Sequence, residues 1–145
     1  MRDSRPQIVK PLTVSSPRTD EHFGCEHCWP ESAEAAWAAR SARRIEAELI
    51  DESHFIVTIQ VCSVCSQRFV SVFTETIDWV DGEDPQYRTL LPITDLECAA
   101  LKADGVSEAR LNALGPDRRS LRHDFPKGGL ARSYRGKGIT VGRHD

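Results

Sequence analysis

Every second residue from Phe55 to Val61 is apolar (Phe55, Val57, Ile59, Val61), and β-branched residues dominate the stretch, which predicts a strand over 55–61. The alternation resumes after Cys65 as Phe69, Ser71, Phe73, Glu75, Ile77 and Trp79, so the residues between form the turn of a β-hairpin. Asp81-Gly82 and Asp84-Pro85 mark a reversal, and residues 87–93 supply a third strand of an antiparallel meander.

Elsewhere the pattern is helical. Residues 31–50 are rich in alanine, follow Pro30, and carry Glu31 and Glu34 where the positive end of a helix dipole would lie. Trp37, Ile45 and Leu49 fall close to one face, so a helix is expected over 31–50. Thr94-Asp95-Leu96-Glu97 has the form of a capping box and opens a helix to about residue 103, stopped by Asp104-Gly105. A second short helix is expected over 108–114, with Ser107 as its cap and Gly115-Pro116 ending it. Residues 1–24, with Pro6, Pro11 and Pro17 among polar residues, read as a mobile arm. Residues 116–145 form a basic, glycine-containing segment in which 139–141 can add a short edge strand.

The chemistry lies in the cysteines. Cys25-Glu26-His27-Cys28 and Cys62-Ser63-Val64-Cys65 are two Cys-x-x-Cys pairs in a chain of five cysteines. Each short loop turns two sulfurs toward one point, and four thiolates satisfy a tetrahedral zinc ion. The second pair sits in the hairpin turn. In this the chain resembles the zinc-ribbon proteins, in which one knuckle lies on a β-hairpin and the other approaches from a separate loop. The resemblance covers residues 23–93 and rests on Cys25, Cys28, Cys62 and Cys65; it implies Zn2+ as the cofactor and says nothing of activity. Trp29 and Ser66 follow the second cysteine of each pair, where zinc knuckles commonly place glycine for a left-handed turn.

Four sulfur ligands leave a zinc ion no open position, and the sequence lacks His-Glu-x-x-His and the His-x-Glu of zinc deaminases, which argues against metal catalysis. The alternative is thiol-redox chemistry or a redox-sensitive zinc switch, with Cys25 and Cys28 activated by the helix that follows. His22, His27 and His54 are substitute ligands in principle. Cys98 reads as a small core thiol that shares a helix face with Leu101.

Composition narrows the setting. No apolar run approaches the ~20 residues that span a bilayer, and residues 1–24 lack the apolar stretch of a signal peptide, so a cytoplasmic protein with no membrane partner is expected. There, paired cysteines hold metal or do redox chemistry rather than form structural disulfides. The net charge of −3 is unevenly spread: residues 1–114 carry 11 Lys/Arg against 19 Asp/Glu, and residues 115–145 carry 8 against 3. The basic end brings Arg118, Arg119, Arg122 and Lys137 forward as nucleic-acid contacts, since phosphate attraction follows local charge. Trp79 and Tyr87, flanking an acidic turn of Asp78, Asp81, Glu83 and Asp84, are the candidate protein-contact residues. Gly136-Lys137-Gly138 fails the pattern of a phosphate-binding loop.

These readings converge on a small α+β domain over 25–115, a three-stranded antiparallel zinc-ribbon sheet with an inserted helix and two short helices after it. Its expected role is a non-catalytic, zinc-stabilised binding module for a protein or nucleic-acid partner.

Overall fold

The computed structural model describes residues 23–144. Among them, six antiparallel strands form one sheet in sequence order: β1 (Arg43–Glu52), β2 (Phe55–Cys62), β3 (Arg68–Glu75), β4 (Gln86–Ile93), β5 (Arg119–Phe125) and β6 (Arg132–Lys137). Helix α1 (Ala33–Ala38) precedes the sheet, and α2 (Asp95–Asp104) and α3 (Glu108–Ala113) lie between β4 and β5. The mixed helix-and-strand class agrees with the sequence; the three-stranded sheet does not, because strands are added on both sides of the β2–β3–β4 meander.

The first addition replaces helix. Helix α1 stops at Ala38, a 3-10 turn covers Ala39–Ala42, and the stretch expected to continue as helix to residue 50 is β1 instead. Ile45, Ala47 and Leu49 fit a period of two as well as they fit a helical face, and pairing along the whole of β2 decides between them. Register shifts between Ile45 and Ala47 and between Glu48 and Ile50 let Ala47, Leu49 and Ile50 all pack toward the core. Glu46, at the first shift, takes an ion pair from Arg68 at 2.8 Å and another from Lys102.

The second addition comes from the basic segment. Arg119–Phe125 pairs with β4, and Arg132–Lys137 pairs with β5. Residues 139–141 are not an edge strand: Gly138, at φ +60°, turns the chain off the sheet, and Ile139 is buried in the core. Strand β3 ends at Glu75 rather than at Trp79. The Asp78 carboxylate accepts the backbone N–H groups of Val80, Asp81 and Glu83, offering this segment an alternative to the ladder. Lys127, between Asp78 and Asp81, fastens the β5–β6 loop to the same turn. The N-terminal arm lies, but for Phe23 and Gly24, outside the described residues.

The sheet has two differently covered faces. Phe55, Val57 and Ile59, with Val70, Val72, Leu91 and Ile93, pack one face against Cys98, Leu101 and Leu111 of α2 and α3. Cys98 is thus a core thiol, 4% exposed. On the other face Cys62, Phe69, Leu90 and Leu121 pack with Cys28, Trp29, Ala33 and Ala36, which sets α1 over one end of the sheet only. The helix starts come out as expected: Thr94 and Glu97 form a reciprocal capping box, and Ser107 accepts the N–H of Arg110.

Arg118 secures the return from α3 to the sheet. Its guanidinium donates to both Glu97 carboxylate oxygens at 2.8 and 3.1 Å and to the Pro92 carbonyl at 2.9 Å. Burial opposes ionisation of Glu97, but Arg118 and the Thr94 N–H hold its carboxyl below the ordinary carboxylate value. Such a group stabilises the fold above its unfolded pKa of about 4.3 and loses that contribution as pH falls through the folded value. Arg118→Met is therefore expected to cost about 1–3 kcal/mol at neutral pH in denaturant unfolding, with the gap from the parent protein shrinking as the pH drops below about 4. A gap that is constant with pH would show that the ion pair is not what the substitution removes.

Candidate metal centre

The first cysteine pair stands on a tight turn before α1. Trp29 N–H donates to the Cys25 carbonyl at 2.7 Å and Cys28 N–H to the same oxygen at 3.2 Å, closing the loop. Gly24, at φ +73°, delivers the chain into it, and a Cβ there would lie 2.6 Å from the Trp29 Cβ. The Gly24 N–H reaches across to the Gln67 side chain at 3.1 Å, and Gln67 in turn donates to the Ile93 carbonyl at 2.8 Å. Both knuckles are thus tied to the strand ends.

The second pair forms the β2–β3 turn. Just past the last ladder pair, Cys62 N–H donates to the Gln67 carbonyl at 2.9 Å, and Ser66 N–H donates to the Cys62 carbonyl at 3.0 Å. Ser66 takes φ +68°, the left-handed position that sequence reasoning assigns to glycine after the second cysteine. At the first knuckle that freedom is supplied instead by Gly24, before the pair. Trp29 is free to fill a hydrophobic role: it is buried against Phe69, with ring centroids 5.4 Å apart, and carries the Arg135 guanidinium over its ring at 4.3 Å.

The four sulfurs converge. Sγ of Cys25 lies 3.8 Å from that of Cys28 and 3.8 Å from that of Cys62, and Sγ of Cys28 lies 3.7 Å from that of Cys65. All four are within 4.8 Å of one another. None of these separations is a disulfide, and all five cysteines are free. A tetrahedron whose centre is about 2.3 Å from each vertex has edges of about 3.8 Å, so the arrangement fits a tetrahedral thiolate-bound metal ion such as zinc.

Backbone donors surround the sulfurs. Cys25 N–H points to the Cys28 sulfur at 3.3 Å, and the N–H groups of Val64 and Cys65 point to the Cys62 sulfur at 3.3 and 3.5 Å. Burial works against the Cys62 thiolate, yet those donors bring its pKa down to about 7. Burial pushes the Cys28 and Cys65 thiols up. The buried Arg43 guanidinium sits beside the cluster and donates to the Cys28 carbonyl at 3.1 Å. Desolvation lowers its pKa to about 10, opposed by the negative charge of Cys28 and Cys62.

The other sequence candidates lie elsewhere. His27 is exposed, His54 bonds Glu75 at 3.2 Å, and neither belongs to the cluster; His22 lies outside the described residues. Trp79 is 87% exposed in the β3–β4 loop and Tyr87 is on β4. Arg119 pairs with Glu31, Arg122 donates to Thr140, and Lys137 ends β6 exposed. Arg122 and Tyr87 line one surface hollow with Thr89 and Thr140, whereas Arg118 is turned to Glu97 and Pro92. Sequence reasoning missed Arg43, whose place beside the sulfurs depends on the unexpected β1. Its only signal was a charged residue in an alternating apolar stretch.

The fold and site together define an antiparallel six-stranded sheet whose central hairpin turn and preceding loop share a four-cysteine cluster. No family model, curated protein or solved structure matches the chain.

The glycine logic of the knuckles is open to test. Ser66→Gly should raise stability by roughly 1 kcal/mol by relieving the left-handed backbone, whereas Gly24→Ala should lower it by more than that, both read by denaturant unfolding. Equal effects of the two substitutions would contradict this division of roles between the knuckles.

Proposed function

We propose that Cys25, Cys28, Cys62 and Cys65 hold one structural Zn2+ and that the chain is a non-catalytic binding module for a protein or nucleic-acid partner. The observation that carries the metal reading is the convergence of all four sulfurs within 4.8 Å, three of the six separations, at 3.7–3.8 Å, matching the edge of a zinc tetrathiolate. Four protein ligands close the coordination sphere, so the ion would fasten the β2–β3 turn to the loop before α1 rather than activate water. The binding reading draws support from open surface on the face that α1 leaves uncovered and from Trp79 and Val80, both 87% exposed at one loop tip. The thiol-redox alternative has less behind it. Helix α1 has only six residues and begins at Ala33, with Trp29–Ser32 between it and Cys28, and Ser32 already accepts the Ala35 N–H. No helix among the described residues is long and apolar enough to cross a membrane.

Metal analysis of the purified chain is expected to give one zinc per molecule. Cys62→Ser should lose the metal and unfold at lower temperature or denaturant, since structural zinc contributes on the order of 10 kcal/mol in small finger peptides. A metal-free protein, or a Cys62→Ser variant as stable as its parent, would defeat the structural-zinc assignment.

A further inference from the structure

The sheet face that carries Cys62 and Phe69 is covered by α1 at one end only. Beside it lies a cleft of about 370 Å³ lined by Trp37, Arg40, Arg43, Arg88 and His123, with Gln60 and Ser71 in its floor. The register explains the convergence. Phe73, Arg88 and His123 lie opposite one another across β3, β4 and β5, while Ser71, Leu90 and Leu121 form the neighbouring row. Arg43 and Ile45 enter from β1, and Trp37 and Arg40 overhang from α1 and the turn after it.

Three guanidiniums share this cleft, and its lining contains no carboxylate. Among the described residues none of the three forms an ion pair. Glu48, which the register places on the same face opposite Thr58, is exposed and bonds none of them. Arg43 is 8% exposed, held by Gln60 and the Cys28 carbonyl. Arg88 is half-buried against the rings of Phe73, at 4.8 Å, and Trp37, at 5.9 Å. Desolvation and the nearby Arg40 lower its pKa, while burial, Arg88 and Arg40 lower that of His123, leaving the imidazole neutral at physiological pH. Arg43 and Arg88 are withdrawn from water with the exposed Arg40 at the rim, and like charges so placed are unfavourable unless an anion joins them. Guanidinium forks match phosphoryl oxygens in pairs, and Gln60 and Ser71 add polar partners. The volume exceeds what a phosphate group fills, and Ile45, Leu90 and Leu121 give the remainder an apolar wall. Trp37 has no free face for a base to stack on, because His123 already lies on its ring at 3.7 Å and Arg40 lies over it at 4.5 Å.

We propose that this cleft binds the phosphate of an organic phosphate, either a free nucleotide or the phosphate of a single-stranded nucleic acid, through Arg40, Arg43 and Arg88. The proposal names a ligand for the binding module inferred above and rests on that reading.

Calorimetric titration of the full chain at low ionic strength with ADP, with inorganic pyrophosphate and with a short single-stranded oligonucleotide tests it. Saturable binding is expected, weakened at least about tenfold in Arg88→Gln and in the rim variant Arg40→Gln, and unchanged in Arg110→Gln, on α3 and outside the cleft. Circular dichroism and metal content of each variant establish that the fold is intact. An oligonucleotide that binds more tightly than ADP with the same Arg88 dependence assigns the phosphate to a nucleic acid; the reverse order assigns it to a free nucleotide. Absence of binding by all three probes, or binding indifferent to Arg40 and Arg88, overturns the proposal. Zinc-loaded protein that ignores every probe rejects the cleft and leaves the metal assignment standing, whereas folded, metal-free protein that binds them does the opposite.

Discussion

Four sulfur atoms within 4.8 Å of one another set a loop outside the sheet against a turn inside it, and the rest of the architecture is arranged around that meeting point. The β2–β3 turn holds Cys62 and Cys65 at the end of the central hairpin. The loop of Cys25 and Cys28 must come to that end, which brings Trp29 onto Phe69 and the small side chains of Ala33 and Ala36 against the sheet. Close packing of a six-residue helix is possible here because alanine permits near approach. The apolar area of so short a helix would not fix its position unaided. A metal ion held by the four sulfurs would supply the constraint that its length cannot.

Because α1 is short and pinned at one end, the two faces of the sheet end up unlike each other. One is a continuous apolar layer under α2 and α3. The other grades from the apolar cluster around Phe69 into a strip where Ser71, Arg88 and His123 replace the aliphatic residues. The same alternation that buries Val70, Val72 and Leu91 therefore sends Ser71 and Arg88 to the opposite side, where the polar cleft is.

Much of this is written locally. The β2–β3–β4 meander, both helix caps and the four-cysteine set follow from alternation, capping chemistry and Cys-x-x-Cys spacing, signals carried by residues close together in the chain. What is hidden depends on pairing. Residues 43–52 satisfy a helical and an extended pattern equally, and the decision falls to partners on β2. Strands β5 and β6 hide because Arg119, Arg122, Arg132 and Arg135 make a charge pattern that reads as a solvated segment, although Leu121 and Ser120 are fully buried and Arg135 covers Trp29. The long guanidinium stems are used as packing material, and their hydropathy conceals this. The cleft was illegible for the same reason: Arg40, Arg43 and Arg88 come from three elements, one of them unexpected.

Arg43 belongs to both sites. One of its nitrogens donates to the carbonyl of Cys28, another to Gln60 in the cleft floor, and the guanidinium lies over the Phe69 ring at 5.5 Å. A buried cation of this kind is unfavourable alone, and negative charge on the Cys28 and Cys62 sulfurs would offset part of its cost. A zinc tetrathiolate carries a net charge of about −2, so an ion bound there keeps that compensation in place. Releasing the ion would free the 25–28 loop, and with it the carbonyl that orients Arg43 toward the cleft. A metal bound there would never touch an anion in the cleft yet would bear on how well it binds, because Arg43 is held by the 25–28 loop at one nitrogen and would face the anion with the rest of its fork.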